Sequence, residues 1–284
     1  VAIGDIVTYT IEAYVPFIDA ANTNKRTFTI TDKITGADYY LAGPNSVNSV
    51  TMEGKDGQVG KIVVNEDGTG FTIDLSELVA DTANPNAGKK ITVTYTAKVK
   101  EVTVENKAGS HAAGVEYGGD NEPVKLFTGE LVLLKYGDGD LNNVLENAEF
   151  VLYKDGEEVP LTFTKQKDGK YKYAPDAEDA SATLVTDKNG MIWVEGLDVG
   201  SYHFEETKAP KGYSINTDGK TLTLTVEGDV ATAKLYNEGD LNDTKLNALP
   251  STGGIGTTIF TIGGCAIMIV AAGLFFATRR KTQK

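Results

Sequence analysis

Short segments in which apolar and polar residues alternate run through most of the chain. Alternation over about four to eight residues predicts half-buried β-strands, and the clusters of Gly, Asn and Asp between the segments predict turns. Upstream of the C-terminal region, no sustained helical period indicates a long helix. The pattern therefore predicts an all-β protein built from β-sandwiches. The clearest candidate strands are residues 7–11, 28–31, 91–95 and 222–226.

A change of composition near the middle of the chain divides it into two domains. A Gly-rich stretch ends at residues 121–123, and a new strand pattern opens at Gly129. We predict two tandem immunoglobulin-like β-sandwiches, the first over residues 1–122 and the second over residues 129–237. The polar residues 238–248 that follow are predicted to be a linker.

An uncharged apolar run of 23 residues, 255–277, lies close to the C-terminus. A helix of that length spans roughly 35 Å, which is sufficient to cross the hydrocarbon core of a bilayer. The basic residues within 278–284 mark the cytoplasmic side, so the chain before the run lies outside the membrane. We therefore predict a transmembrane helix over 255–277 and a basic cytoplasmic tail over 278–284. A plain single-pass membrane anchor would explain the run and the charges but not the five residues that precede them.

Those five residues are Leu249, Pro250, Ser251, Thr252 and Gly253. They resemble the LPxTG sorting signal of Gram-positive cell-wall proteins, with all four fixed positions present. The resemblance implies that a sortase cysteine attacks the Thr252 carbonyl, cuts before Gly253 and transfers the acyl group to an amine. That amine belongs to the peptidoglycan cross-bridge or to a lysine of a neighbouring pilin. The apolar run would then hold the chain in the membrane only transiently. The protein would end extracellular, covalently anchored to the cell wall of a Gram-positive bacterium.

Three strands of the second domain each place a polar side chain on an apolar face. By alternation, Lys135, Glu206 and Asn237 point in the same direction as their apolar neighbours. Any one of them could lie at a frayed strand end and bend to water, but three unpaired groups in an apolar core would be very unfavourable. Burial lowers the pKa of a lysine and raises that of a carboxyl group, so a neutral, nucleophilic amine can face a neutral acid. We therefore predict a Lys135–Asn237 isopeptide bond, formed with loss of ammonia while Glu206 shuttles protons as the catalytic acid.

The same part of the chain resembles a known family, the B-type repeat of collagen adhesins and Gram-positive pilins. Residues 129–135 and 147–150 are similar to its first hairpin, and residues 202–213 are similar to the E-box found in many Gram-positive pilins. The resemblance implies an autocatalytic isopeptide bond and assigns the lysine, the acid and the amide to the same three residues. The bond would close a loop of 102 residues (237 minus 135) between the first and last strands of the domain.

The first domain repeats this pattern less completely. Asp32 and Asn106 each share a strand face with apolar residues. Residues 1–11 and 94–97 resemble the fimbrial middle domain of backbone pilins, which implies that Asp32 is the catalytic acid and Asn106 the amide. In that family the reactive lysine precedes the segment 3–5, so we expect an N-terminally truncated domain whose partner lysine is absent from the chain. The alternative is that Asp32 and Asn106 lie on the surface at strand ends.

Composition and charge exclude several classes of partner and of binding site. The 284-residue chain has a formal net charge of −13, which disfavours nucleic acid as a partner because phosphate binding requires a basic face. The single cysteine, Cys265, excludes an internal disulfide. His111 and His203 have no second histidine or thiol at metal-ligand spacing, so we expect neither a metal nor a cofactor.

Together, these features predict a structural cell-surface protein: the major backbone pilin of a sortase-assembled pilus, serving adhesion and colonisation. Its predicted partners are sortase, the peptidoglycan cross-bridge, neighbouring pilin subunits and a host surface ligand that the sequence does not identify. The alternative is an individually wall-anchored adhesin or accessory pilin whose domains here form a stalk. A wall-anchored enzyme would require a catalytic domain that is not visible in this chain, so the protein is predicted not to be an enzyme.

Overall fold

The computed structural model describes residues 1–117, 122–226 and 235–246. These residues form β-strands joined by turns and two short 3₁₀ helices, so the predicted all-β class is confirmed. Two separate clusters of buried apolar side chains give each sandwich its own core. Both sandwiches lie within one compact unit, Val1–Thr244.

The first sandwich is built from ten of the described strands. One of its sheets contains β1, β7, β3 and β4, and the other contains β10, β8, β2, β6, β5 and β9. Its strands are β1 Ile6–Tyr14, β2 Phe28–Thr35, β3 Ala37–Tyr39, β4 Asn48–Met52, β5 Val63–Val64, β6 Gly70–Asp74, β7 Lys90–Val99, β8 Thr103–Ala112, β9 Val115–Tyr117 and β10 Val124–Phe127. Its 3₁₀ helices are Thr23–Lys25 and Ser76–Val79. On β7 the fully buried Ile91, Val93 and Tyr95 alternate with half-buried threonines, as the sequence pattern predicts.

The first sandwich extends beyond its predicted end at residue 122. Strand β10 pairs antiparallel with β8, with Val124 opposite Asn106. The domain therefore ends at Phe127, because the chain after Pro123 returns to add an edge strand instead of entering the next sandwich.

The second sandwich also has two sheets. One contains β12, β11, β17, β15, β14 and β20, and the other contains β16, β13, β18 and β19. Its strands are β11 Gly129–Gly137, β12 Asp140–Val144, β13 Glu149–Lys154, β14 Phe163–Lys165, β15 Tyr171–Tyr173, β16 Leu184–Val185, β17 Met191–Leu197, β18 Gly200–Lys208, β19 Lys220–Leu224 and β20 Tyr236–Asp243. Phe150 of β13 and Phe204 of β18 meet edge to face in the core, with ring centroids 6.5 Å apart.

The last strand of the second sandwich lies where a linker was predicted. Strand β20 pairs parallel with β11 and continues to Asp243, so the domain does not end at residue 237 and the linker does not begin at residue 238. The end of the predicted linker, the sorting signal 249–253, the predicted transmembrane helix 255–277 and the basic tail all lie outside the described residues. Within the part of the chain that is described, no helix is long and apolar enough to cross a membrane.

The two sandwiches are joined by direct contacts as well as by the chain. The backbone N–H of Ile3 donates to the carbonyl of Gly196 at 2.9 Å, and that of Thr128 donates to the carbonyl of Val102 at 3.0 Å. Gly196 has φ +94°, and a Cβ there would lie 2.6 Å from the Ile3 side chain, so only glycine fits this close approach. Tyr173 packs against both cores.

Candidate functional site

Among the described residues of the second sandwich, Lys135 is the largest charged side chain that is completely buried. It lies on β11, where alternation turns it inward with Leu131 and Leu133, and all three have no exposed surface. Its ammonium group lies 5.7 Å from the centre of the Phe150 ring. The predicted inward orientation of this lysine is therefore what the structure shows.

Glu206 faces Lys135 from the opposite sheet. It follows Tyr202 and Phe204 along the inward face of β18 and is 4% exposed. Its Oε2 lies 3.4 Å from the Lys135 Nζ and accepts a hydrogen bond from the backbone N–H of Asn216 at 2.7 Å. Desolvation by burial raises the pKa of Glu206, and the Asn216 N–H and Lys135 only partly oppose this rise. Among the described residues, its Oε1 has no hydrogen-bond partner.

The third member of the site is Asp243, which the sequence reasoning missed. It is 1% exposed, and its Oδ1 contacts the Lys135 Nζ directly. Its Oδ2 is buried and has no hydrogen-bond partner in the part of the chain that the structure describes. Leu241 and Asp243 are both buried on one face of β20, so alternation would have turned this carboxyl inward had the strand been extended to it. The polar composition of the segment led instead to the prediction of a linker.

Asn237 does not meet Lys135, so its predicted role as the reactive amide is not supported by the geometry. The parallel register places Asn237 opposite Leu131 and Asp243 opposite Gly137. Asn237 therefore lies four residues before the level of Lys135, about 13 Å along the strand. Its Nδ2 donates instead to the carbonyl of Thr223 at 2.7 Å.

The arrangement of Lys135, Glu206 and Asp243 suits amide formation. Burial favours the protonated form of Glu206. A proton transfer between the two contacting groups, from the lysine to Asp243, would leave a neutral amine beside a neutral carboxylic acid. The amine is then a nucleophile for the Asp243 carboxyl carbon, and Glu206 is placed to move protons as a water molecule leaves.

A second buried polar cluster lies in the first sandwich, around Asp32 on β2 and Asn106 on β8. These residues are 4% and 6% exposed, so the alternative of surface positions at strand ends does not hold. The Tyr39 hydroxyl donates to Asp32 Oδ1 at 2.7 Å, and Asn106 Nδ2 is hydrogen bonded to the Tyr95 hydroxyl at 2.6 Å. Three further polar atoms of the cluster are buried and have no hydrogen-bond partner within the described residues: Asp32 Oδ2, Asn106 Oδ1 and the Tyr9 hydroxyl.

As far as the structure describes the chain, this cluster contains an acid and an amide but no amine. Among the described residues, no ion pair involves Asp32. Desolvation raises the pKa of Asp32 from its ordinary value of 3.8 to about 6, although contacts with Tyr39, Tyr95 and Asn106 oppose the rise. The structure thus brings the two predicted residues together, and their reaction with a lysine stays a prediction.

The raised pKa of Asp32 predicts that the first sandwich loses stability as the pH rises. The folded state holds the proton more tightly than the unfolded state, so the stabilisation is complete below the ordinary pKa of 3.8 and is lost as the pH passes through about 6. A shift of this size corresponds to about 3 kcal/mol in the free energy of unfolding. We expect this loss between about pH 4 and pH 7.5 in denaturant titrations of residues 1–248. Asp32→Asn should lose this part of the pH dependence, and an unchanged dependence would refute the assignment.

Two known families match the second half of the chain. Residues 129–239 match the family model described as the prealbumin-like fold domain SpaA. The second sandwich is therefore similar to a SpaA domain. Residues 242–284 match the LPXTG cell wall anchor motif, which confirms the predicted location, extracellular and anchored at the cell wall of a Gram-positive bacterium.

Two known relatives match different lengths of the chain. The chain is 38% identical over 110 residues to the trypsin-resistant surface T6 protein of Streptococcus pyogenes serotype M6, which covers 37% of this chain and 19% of that protein. It is 25% identical over 292 residues to fimbrial subunit type 2 of Actinomyces naeslundii, which covers 92% of this chain and 47% of that protein. The chain thus spans less than half the length of these two relatives.

Solved structures show the same fold. The chain superimposes on the pilus 2b backbone protein of group B streptococcus with a TM-score of 0.56 at 19% identity, covering 88% of this chain and 96% of that one. It superimposes on the pilus backbone protein RrgB of Streptococcus pneumoniae with a TM-score of 0.54 at 16% identity, covering 86% and 94%. The predicted resemblance to Gram-positive pilus backbone subunits is confirmed.

Proposed function

We propose that this chain is part of the backbone subunit of a sortase-assembled pilus, in which the second sandwich is closed by a Lys135–Asp243 isopeptide bond. The observation that carries the proposal is the buried contact of Lys135 with Glu206 and Asp243. Burying a lysine and two acidic groups without a reaction between them is unfavourable. Each carboxylate oxygen that lacks a hydrogen bond has lost its hydration in the core without compensation. Formation of the amide removes both charges of the lysine and the aspartate.

The reaction balances within the site. The Lys135 Nζ forms a bond to the Asp243 carbonyl carbon, the bond from that carbon to one carboxyl oxygen breaks, and the oxygen leaves as water with two protons. One of these protons comes from the amine, and Glu206 relays it. Each molecule turns over once, so the protein changes only itself and is not an enzyme.

The position of the bond suits a protein that carries tension. Lys135 lies on the first strand of the sandwich and Asp243 on the last, and these strands are neighbours in one sheet. The sorting signal begins six residues after Asp243. Tension arriving from an attached Thr252 would enter at Asp243, cross the bond to Lys135 and leave along β11. The strands of the sandwich would therefore not be pulled apart one after another. A covalently closed sandwich also fits the description of the streptococcal relative as resistant to trypsin.

The partners follow from the anchor motif. Sortase would cut between Thr252 and Gly253 and join Thr252 to a lysine of the next subunit or to the peptidoglycan cross-bridge. The second candidate function is an individually wall-anchored adhesin or accessory pilin, which fits the name of the streptococcal relative as a surface protein. In both cases the apolar run holds the chain in the membrane only until sorting.

Expression of the protein in a Gram-positive host that has a pilus sortase distinguishes between these two functions. Wall extracts of cells that express the whole protein should contain a ladder of covalent polymers that survives boiling in detergent. Thr252→Ala should abolish the ladder and leave the monomer in the membrane fraction, whereas Ser251→Ala, at the variable position of the motif, should leave it intact. A single wall-linked band in place of a ladder would favour the individually anchored protein, and an unaffected ladder in Thr252→Ala would contradict both.

A further inference from the structure

The loop 209–219, which joins β18 to β19, touches the site from the side opposite to β11. Asn216 of this loop binds the site through two hydrogen-bond donors. Its backbone N–H holds Glu206 Oε2 at 2.7 Å, and its Nδ2 donates to the carbonyl of Asn242 at 2.8 Å. Its Oδ1 accepts from the backbone N–H of Asp218 at 3.0 Å, which fixes the orientation of the side chain. One residue thus binds the acid and the strand that carries the acceptor.

Ser214 of the same loop binds β20 on the other side of Asp243. Its backbone N–H and its hydroxyl both donate to the carbonyl of Thr244, at 2.9 and 3.0 Å. Alternate carbonyls of a strand point to the same edge, so the carbonyls of Asn242 and Thr244 lie on the edge of β20 that is turned away from β11. The two residues that flank Asp243 are therefore held by the loop.

The loop is itself anchored to β11 at the level of Asp243. The Tyr213 ring packs so closely on Gly137, the residue opposite Asp243, that a Cβ on that glycine would lie 2.5 Å from the ring. The Tyr213 hydroxyl accepts a hydrogen bond from Asn143 Nδ2 at 3.0 Å. The end of β20 is therefore enclosed between β11 on one side and the loop on the other.

We propose that Asn216 and Ser214 are positioning residues that set Asp243 against Lys135 for bond formation. This inference rests on the proposed isopeptide bond. Strand β20 is the last to be made and must align with β11 across the whole domain, and its parallel pairing alone leaves the outer edge near Asp243 free. The hydrogen bonds from the loop hold that edge at the register in which the carboxyl carbon meets the amine. A displacement of about 1 Å between reacting groups is known to slow reactions by about 100-fold.

The rate of bond formation tests this role. Residues 1–248, which contain the whole compact unit Val1–Thr244, are pulse-labelled during cell-free synthesis and sampled over time. Intact mass gives the fraction that has lost water, and protease resistance of the same samples gives the folded fraction. Per folded molecule, Asn216→Ala should react about 10- to 100-fold more slowly. Ser214→Ala should be slowed less, because its backbone N–H still binds Thr244, and Ser214→Thr, which keeps the hydroxyl, should react at close to the wild-type rate.

A matched control lies outside the site. Gln166 also donates two local hydrogen bonds, at 3.2 and 3.0 Å to Thr164, and Gln166→Ala should leave the rate per folded molecule unchanged. The inference is overturned if Asn216→Ala lowers only the folded fraction while folded molecules react at the wild-type rate. A wild-type protein that folds but never loses water would overturn the proposed bond as well, so the two failures are distinguishable.

Discussion

The ectodomain, residues 1–248, is expected to be lighter than its sequence requires by one water molecule, and not by one ammonia. The reason is the identity of the acceptor: Asp243 contacts Lys135, whereas Asn237 lies about 13 Å away along β20 and is held by Thr223. A high-resolution intact mass distinguishes the two leaving groups. Fragmentation of a tryptic digest should then show a branched peptide that joins Lys135 to Asp243.

Single substitutions give this measurement its controls. Lys135→Met, Glu206→Gln and Asp243→Ala should each restore the full calculated mass. Asn237→Ala should keep the loss of water, because that side chain lies outside the site. The most telling variant is Asp243→Asn, in which the same geometry should release ammonia. A full-mass wild type, or a loss that disappears in Asn237→Ala, would refute the Lys135–Asp243 assignment.

The second large effect is expected on the stability of the second sandwich. Lys135 and Asp243 are 108 residues apart in the chain, and a cross-link that closes a loop of this length restricts the unfolded state by about 5 kcal/mol in the chain-entropy model. Glu206→Gln should prevent the bond while keeping the size and shape of the side chain. We therefore expect its second sandwich to melt about 20 °C or more below that of the wild type, as followed by calorimetry.

The neighbouring glutamate provides the matched control for this measurement. Glu205 lies on the same strand with its side chain exposed on the opposite face. Glu205→Gln makes the same chemical change at an exposed position and should melt at the same temperature as the wild type. If Glu206→Gln melts within a few degrees of Glu205→Gln, the bond either does not form or does not stabilise the domain.

Local sequence patterns and long-range contacts determine different features of this protein. The inward orientation of Lys135 and Glu206 could be predicted because successive residues of a strand alternate between faces, which depends only on neighbouring residues. The same holds for the burial of Asp32 and Asn106. Asn237 shares the odd-numbered face of β20 with Asp243, so the predicted face was right and the position along the strand was wrong by six residues.

Positions along the strand depend on contacts that the local pattern does not contain. The register of β20 against β11 is set by pairing between segments more than a hundred residues apart and by the hydrogen bonds of the loop 209–219. The end of the first sandwich was misplaced for a related reason, because β10 is defined by its pairing with β8 and not by its own composition.

The sequence by itself determined the all-β class, the two sandwiches, the buried lysine and glutamate, and the anchor motif. Each of these features depends on a short periodic pattern or on a contiguous motif. Only the tertiary structure decided that the lysine meets Asp243 and not Asn237, and that Asn216 and Ser214 hold the acceptor strand. The physical reason is that an alternating pattern specifies which face a side chain takes, whereas the pairing of distant strands specifies which side chain stands opposite it.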